Sequence, residues 1–335
     1  MRVTVVIPSY NRLNRVVETI QTVLCCDTTG LDEVEVIVVD DGSPVPVESL
    51  LAEFSPSPPF TLRCIRQKNA GPCAARNAGF RAAQNDLVIC VDDDILCSPD
   101  LIKGHVQAHQ MAPRSVIFGI YPHLEVTRFL SSLAALDDSG TPQPGAKREL
   151  VPVESVASGH ISFEKPMFDP GQAIYRDDLT IPVADDWELA FRLRSRGIPI
   201  YQAPWIMARH NGKDSVAIRC NQLYRVGAGC AEAAVKCPEI LSTEALASII
   251  RINGPISRHD SSKRILIKII KQVLATAPSR ATLLWLVQRL EPLLPPGMLL
   301  ARAYRGVMGL YLFVGVRKGL HRFTTDMYRS RASHC

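Results

Sequence analysis

Apolar positions along the first hundred residues come in two rhythms. Val3–Ile7, Val34–Val39 and Leu87–Val91 are short apolar or mostly apolar runs, the signature of strands buried on both faces, and Thr61–Arg66 reads as a further strand. Between them the spacing changes. Leu13, Val16, Val17, Ile20, Val23 and Leu24 recur at i, i+3, i+4 and i+7, which predicts one face of a helix. A short helix is expected around Val47–Phe54, and another from Asn69 to about Gln84 with Pro72 in its first turn. Ser98 is placed to cap a fourth helix, with Pro99 at its first position, running to about Met111. The first strand is expected to stop at Pro8. Strands alternating with helices predict an α/β protein with a mostly parallel, Rossmann-like sheet, flanking helices and right-handed crossovers.

Farther along, Ser115–Tyr121 reads as a strand, and residues 122–155, including Asp137–Gly145, as irregular and turn-rich. Ala184–Gly197 carries partial helical patterning, with Gly197 placed to end the helix. Ile198–Ala203 reads as a strand, with His210 in the loop after it.

The ends of the first four strands share a property that a plain scaffold does not need. They run into Pro8-Ser9-Tyr10, Asp40-Asp41, Gln67-Lys68-Asn69 and Asp92-Asp93-Asp94. Ligands of parallel sheets sit outside the carboxyl ends of the strands, so these clusters predict a nucleotide-type site. No G-x-G-x-x-G follows the first strand and no G-x-x-x-x-G-K-[ST] occurs, against a dinucleotide dehydrogenase and a P-loop NTPase. Carboxylates can hold a diphosphate only through a metal, and hard oxygen ligands suit Mg2+ or Mn2+. Tyr10 offers a ring to a base, and Asp41 an acceptor for a base N–H. A second acidic group, Asp185, Asp186 and Glu188, opens the helix near residue 185. The helix dipole alone accounts for acids there, and so does a catalytic role.

Charge divides the chain. Residues 216–335 hold 18 Lys+Arg against 6 Asp+Glu, while residues 1–215 hold 20 against 27. The expected organisation is therefore a catalytic domain over 1–215 and a basic, mostly helical region over 216–335. Within the latter, Lys263–Leu274 puts Arg264, Lys268, Lys271 and Gln272 on one helix face and Leu266, Ile269, Ile270 and Val273 on the other. Two roles are open for these helices: holding the protein against an anionic membrane surface, or packing on the sheet or a second subunit with the basic face solvated. The apolar stretch Gly306–Val316 ends in Arg317-Lys318, and Arg302 and Arg305 break the longest candidate for the roughly 18 uncharged residues of a span. With ten cysteines, no C-x-x-C and no secretory signal, the expectation is reduced thiols in a cytoplasmic protein, soluble or peripheral on the inner face of a membrane.

Four segments together resemble family 2 glycosyltransferases, in that family's order and spacing. They are Val-Val-Ile-Pro-Ser-Tyr-Asn-Arg (5–12), Val-Val-Asp-Asp-Gly-Ser (38–43), Asn-Ala-Gly-Pro-Cys-Ala-Ala-Arg-Asn-Ala-Gly (69–79) and Val-Asp-Asp-Asp-Ile (91–95). The resemblance implies a GT-A fold and inverting transfer of a sugar from a nucleotide-sugar donor with a divalent metal. It implies that Pro8, Tyr10, Asp41, Arg76, Asp92 and Asp93 bind the donor, that Asp92–Asp94 form a D-x-D-type motif, and that Asp94 ligates the metal. The segment from Asp186 to Leu193 resembles the family's Glu-Asp-x-Glu-Leu motif, with Asp185 where Glu is usual, which implies Asp186 as catalytic base. His210 lies where the family often has a metal- or diphosphate-contacting histidine. Ala157–Phe163 resembles the family's strand that faces the acceptor; within it His160 stands where Asn is commoner, and a structural role suits it at least as well. A saccharide or lipid-linked acceptor, as in cell-surface polysaccharide or glycolipid synthesis, and no nucleic acid, are the expected partners; self-association is left open. A nucleotidyltransferase is the alternative enzyme class, although Ser9-Tyr10-Asn11-Arg12 stands where its glycine-rich loop and lysine belong. A non-catalytic sugar-nucleotide-binding protein is the other, and would need no base.

Overall fold

The computed structural model describes residues 1–134, 148–181, 185–212 and 214–332, with side chains as far as Thr325. The strands are β1 (Arg2–Ser9), β2 (Glu33–Asp40), β3 (Phe60–Arg66), β4 (Leu87–Val91), β5 (Ile95–Cys97), β6 (Val116–Ile120), β7 (Val151–Pro152), β8 (His160–Glu164) and β9 (Ile200–His210). The helices of the first half are α1 (Leu13–Leu24), α2 (Glu48–Leu51), α3 (Pro72–Ala82), α4 (Leu101–Met111), α5 (Arg128–Ala134) and α6 (Asp185–Ser195). Those of the second half are α7 (Val216–Lys236), α8 (Glu244–Asn253), α9 (Ser262–Leu274), α10 (Ala277–Leu290) and α11 (Met298–Ala332). Two compact units divide the chain.

The first unit comprises Met1–Glu125, Thr141–Asp178 and Asp185–Gly212 and contains the whole sheet. Its strand order is β3-β2-β1-β4-β8-β6-β9-β5, with β7 added on β9. The first four strands are parallel, whereas β8 runs antiparallel to both β4 and β6. Period-two alternation splits the buried strand residues between two apolar layers. Val5, Ile7, Val36 and Ile89 meet Val16, Ile20 and Val23 of α1 and Leu101 and Ile102 of α4. Val6, Ile37, Val88 and Cys90 meet Cys73 and Phe80 of α3 and Leu189 and Leu193 of α6. Gly79 lets α3 lie close on the sheet, because a Cβ there would fall 2.2 Å from Val6 Cγ1.

Several boundaries differ from those expected. β1 continues through Pro8 to Ser9, since Pro8 lies past the last β1–β4 pair, Val6 with Cys90, where no ladder bond needs its missing N–H. Ser98 does not cap α4. Ile95–Cys97 pair with the end of β9, Ser98 leads into a turn, and α4 begins at Leu101 after Asp100 with no side-chain cap. β9 does not end at Ala203. Pro204 is absorbed in a register shift, from Phe118 opposite Gln202 to Ile120 opposite Met207, and the strand runs on so that His210 is its last residue rather than a loop residue. α5 forms within the stretch expected to be irregular; Asp137–Gly145 lies outside the described residues. α6 stops at Ser195, and Gly197 beyond it takes φ +70°.

The second unit comprises Val126–Gly140, Leu179–Ala184 and Lys213–Cys335. Its axis is the pair α7–α11, packed so closely that a Cβ at Gly315 would meet Tyr224 O at 2.1 Å. Phe129 of α5 packs edge-on against Tyr304 of α11, ring centroids 4.9 Å apart. α11 is one unbroken helix through Arg302 and Arg305; Met298–Thr325 is long and apolar enough to cross a membrane by length and composition only, and 56% of its most apolar window is buried inside the protein. α9 departs from the role that left its basic face solvated, because that face is the packed one. Lys268 is 2% exposed and donates to Asp260 Oδ2 at 2.7 Å and Pro255 O at 2.8 Å. None of the nine described cysteines is in a disulfide.

Candidate active site

The site lies in the first unit, at the carboxyl ends of β1 and β4. As β4 ends, the Asp92 N–H donates to Gly159 O at 2.9 Å and the Ile95 N–H returns to Asp92 O at 3.1 Å, a tight turn presenting three successive carboxylates. Burial pushes the Asp92 carboxyl up to about 6, against the opposing pull of Arg76. Burial also raises Asp93. Basic groups compensate this cluster. Arg12 Nη1 sits between Asp93 Oδ1 and Asp94 Oδ2, 3.0 Å from each, and Arg15 Nη1 reaches Asp94 Oδ2 at 3.4 Å. Ser9 Oγ donates to Asp93 Oδ2 at 2.9 Å. The β5–β9 pairing aligns Ile95 with His210 and brings His210 Nε2 to 3.7 Å from Asp94 Oδ2.

Arg76 ties this cluster to the acids that open α6. It is buried, with Nη2 2.5 Å from Asp92 Oδ1, Nη1 3.5 Å from Asp185 Oδ2, and its guanidinium 5.3 Å from the centre of the Tyr175 ring. Cys73 Sγ also donates to Asp185 Oδ2, at 3.3 Å. Glu188 is engaged by both Nε and Nη2 of Arg192, at 2.8 and 3.0 Å. Asp186 differs from both neighbours. Ser158 hydrogen-bonds to its carboxylate, while Oδ1 is shielded from solvent with no hydrogen-bond partner. Burial first, and then the Asp185 charge, push Asp186 up to about 7. A carboxylate with one uncommitted oxygen and a pKa near neutrality is suited to accept a proton. The three acids at the start of α6 thus have three environments, and only Asp186 has that one.

The other residues named from sequence fall around this centre. Tyr10 is half exposed just past β1, with a ring available for stacking. Pro8 is buried within β1. Asp41 is buried, and accepts at Oδ1 from Gln67 Nε2 (2.7 Å) and the Ala70 N–H (2.9 Å) and at Oδ2 from the Gly71 N–H (2.8 Å). Its carboxylate therefore shapes the loop into α3. His160 is fully buried. Its Nδ1 lies 3.0 Å from His105 Nε2, burial pushes it down to about 4, and it is a neutral core residue. Sequence reading missed Arg12, Arg15, Ser158, Tyr121 and Tyr175. Arg12 was visible as the last residue of the first motif. Tyr121 is mostly buried, with burial and then the charges of Asp186 and Asp92 holding its phenol well above the usual range.

Among the described residues no three His, Cys, Asp or Glu side chains are grouped closely enough to enclose a metal ion. Asp94 with His210 opposite offers a partial shell. That fits a cation of the Mg2+ or Mn2+ type, bound by one or two protein groups with substrate phosphate oxygens supplying others.

Residues 4–169 match the family model described as glycosyl transferase family 2. Those residues belong to that family. The chain is similar to YfnE, an uncharacterized glycosyltransferase of Bacillus subtilis, with 32% identity over 123 residues, 36% of this chain and 30% of that protein. It is also similar to validoxylamine A glucosyltransferase of Streptomyces hygroscopicus, with 24% identity over 259 residues, 66% of this chain and 60% of that one. The chain therefore matches less than two thirds of either relative's length. Among solved structures, mannosyltransferase PcManGT from Pyrobaculum calidifontis aligns with a TM-score of 0.60 at 17% identity, over 95% of this chain and 86% of that one. The fold is that of GT-A glycosyltransferases, a mixed α/β sheet with flanking helices and a C-terminal helical region.

Proposed function

We propose that the protein transfers a sugar from a nucleotide-diphosphate sugar to a hydroxyl of a saccharide or lipid-linked acceptor, with inversion, and that Asp186 is the general base. The observation carrying this reading is the uncommitted Oδ1 of Asp186 beside two acids whose oxygens are occupied. Asp186 takes the proton of the acceptor hydroxyl as the new O–C bond forms at the anomeric carbon. The bond from that carbon to the diphosphate oxygen breaks in the same displacement, with the electron pair leaving on the diphosphate. Proton removal by a placed carboxylate contributes roughly 10²–10⁴ in rate. Asp94 and His210 would hold a divalent metal, which when bound supplies Lewis-acid stabilisation of the leaving diphosphate. The structure of PcManGT, a complex with GDP-Man and Mn2+, supports a donor and metal of this class. Arg12 and Arg15 add positive charge at the same place. Tyr10 would stack on the base, while Asp41 and Pro8 shape its pocket.

Keeping the acids in separate groups suits the chemistry, because a carboxylate bound to a cation is a weak base. The test is a nucleotide-sugar panel with Mn2+, scored by thermal stabilisation and by release of the nucleoside diphosphate. One donor is expected to raise the unfolding midpoint and be turned over slowly with water or faster with its acceptor. A panel in which no member binds would overturn the reading.

A further inference from the structure

α9 is built inside out. Its buried side is the row Arg264, Lys268 and Lys271, spaced for one helix face. Lys268 and Arg264 reach Asp260, and Lys271 donates to Asn253 Oδ1 at 2.9 Å and lies over the Phe313 ring. The opposite side is a broad apolar face, from Ile267 at 40% exposed to Val273 at 66%, with Leu266, Ile269 and Ile270 between them in exposure. Desolvating a lysine is unfavourable unless it is paired, and burying isoleucine is favourable. Within this chain those partners hold the basic row inward, and the apolar face is left facing solvent. α10 and the start of α11 repeat the theme: Trp285, Leu286, Leu290, Met298 and Leu299 are each more than 40% exposed. So large an exposed apolar area marks an interaction surface.

We infer that this face docks on an anionic lipid surface, with α9 lying in the interface plane. Charge selects the occupant. Residues 262–325 contain 11 Lys+Arg and a single acid, Glu291. Lys263 and Arg289 are exposed alongside the apolar residues, and Arg289 stacks on Trp285 with its guanidinium 5.5 Å from the ring centre. An apolar face flanked by basic residues and an exposed tryptophan matches a headgroup boundary rich in anionic lipid. A second copy of the chain would set like charge against like charge across a two-fold interface. The surface goes beyond the transfer reading, and it would bring the enzyme to a lipid-linked acceptor.

The experiment is flotation of the full chain, without donor or acceptor, with vesicles of phosphatidylcholine alone or with about 30% phosphatidylglycerol. Binding is expected on the anionic vesicles and should weaken severalfold as salt rises from about 0.1 to about 0.5 M. Replacing Leu266, Ile270 and Val273 by Ser is expected to lower vesicle binding roughly tenfold or more. The thermal midpoint should hold, because those side chains are exposed. Ile218→Ser, on α7, removes an exposed isoleucine elsewhere and should leave binding unchanged. Brominated lipid should quench fluorescence in the intact chain and much less in Trp285→Phe. Absence of vesicle binding, equal binding by the triple variant, or self-association abolished by the triple variant without vesicle binding would each overturn the proposal. Any of these would leave transfer to a water-soluble acceptor untouched, so the two readings fail separately.

Discussion

Arg76 bridges two acidic groups, which makes Arg76→Met an informative perturbation. Methionine keeps much of the volume and the contact with Tyr175 but removes the charge that faces Asp92 at 2.5 Å and Asp185 at 3.5 Å. Removing one partner of a buried ion pair destabilises by about 3–5 kcal/mol, because the remaining charge is left desolvated. The loss depends on pH. Even with Arg76 present, burial holds the Asp92 carboxyl up at about 6, well above its ordinary value. Without the guanidinium it rises further, so the folded variant binds a proton that the unfolded chain releases. Stability of the variant therefore falls as pH climbs from the unfolded value through the folded one. The difference from wild type should be smallest near pH 5, where a proton replaces the cation's role, and largest near pH 8. Urea unfolding in a Trp285→Phe background measures this, since Trp187 and Trp205 then report on the sheet unit alone. A difference below about 1 kcal/mol at both pH values would refute the clamp.

Two further outcomes follow from the same geometry. The rate of transfer at saturating donor should rise with pH through about 7, since Asp186 must lose its proton to act as base, and a flat profile from pH 5 to 8 would move the base elsewhere. Arg12→Ala should strengthen binding of Mn2+ alone, followed by its electron paramagnetic resonance signal, by roughly tenfold, because the guanidinium that shares Asp93 and Asp94 competes with the cation. Unchanged or weaker Mn2+ binding would show that Arg12 does not occupy the cation's place.

In the parallel half of the sheet β1, β2 and β4 were legible because they are buried on both faces and so read as apolar runs, whereas β3, at the sheet edge, is only partly buried. α1 announced itself by period, and the acids at Asp92–Asp94 by their conflict with the buried strand before them. What escaped depends on pairing across long separations. β5 is three residues long and exists through its ladder with the end of β9, and that ladder places His210 opposite Ile95. The family resemblance placed Arg76 near the nucleotide; that folding also brings Asp185, more than a hundred residues away, to its other side could not be read from sequence. Near α6, three acids within four positions are indistinguishable by type. Their separation into two occupied carboxylates and one with an open oxygen comes from Cys73, Arg76, Ser158 and Arg192, which no local pattern links. α9 was read with the right two faces, but the role that left its basic face solvated does not hold, because Asp260 and Asn253 turn the lysines inward.

The most direct test compares binding and turnover of one nucleotide-sugar in wild type and Asp186→Asn with Mn2+ present. Asparagine keeps the shape and the contact with Ser158 but cannot take a proton at neutral pH. The account predicts equal thermal stabilisation by the donor in both proteins, an inverted anomeric product from wild type by NMR, and a rate at least about 10²-fold lower in the variant. Wild-type turnover by Asp186→Asn, or a product with retained configuration, would contradict it.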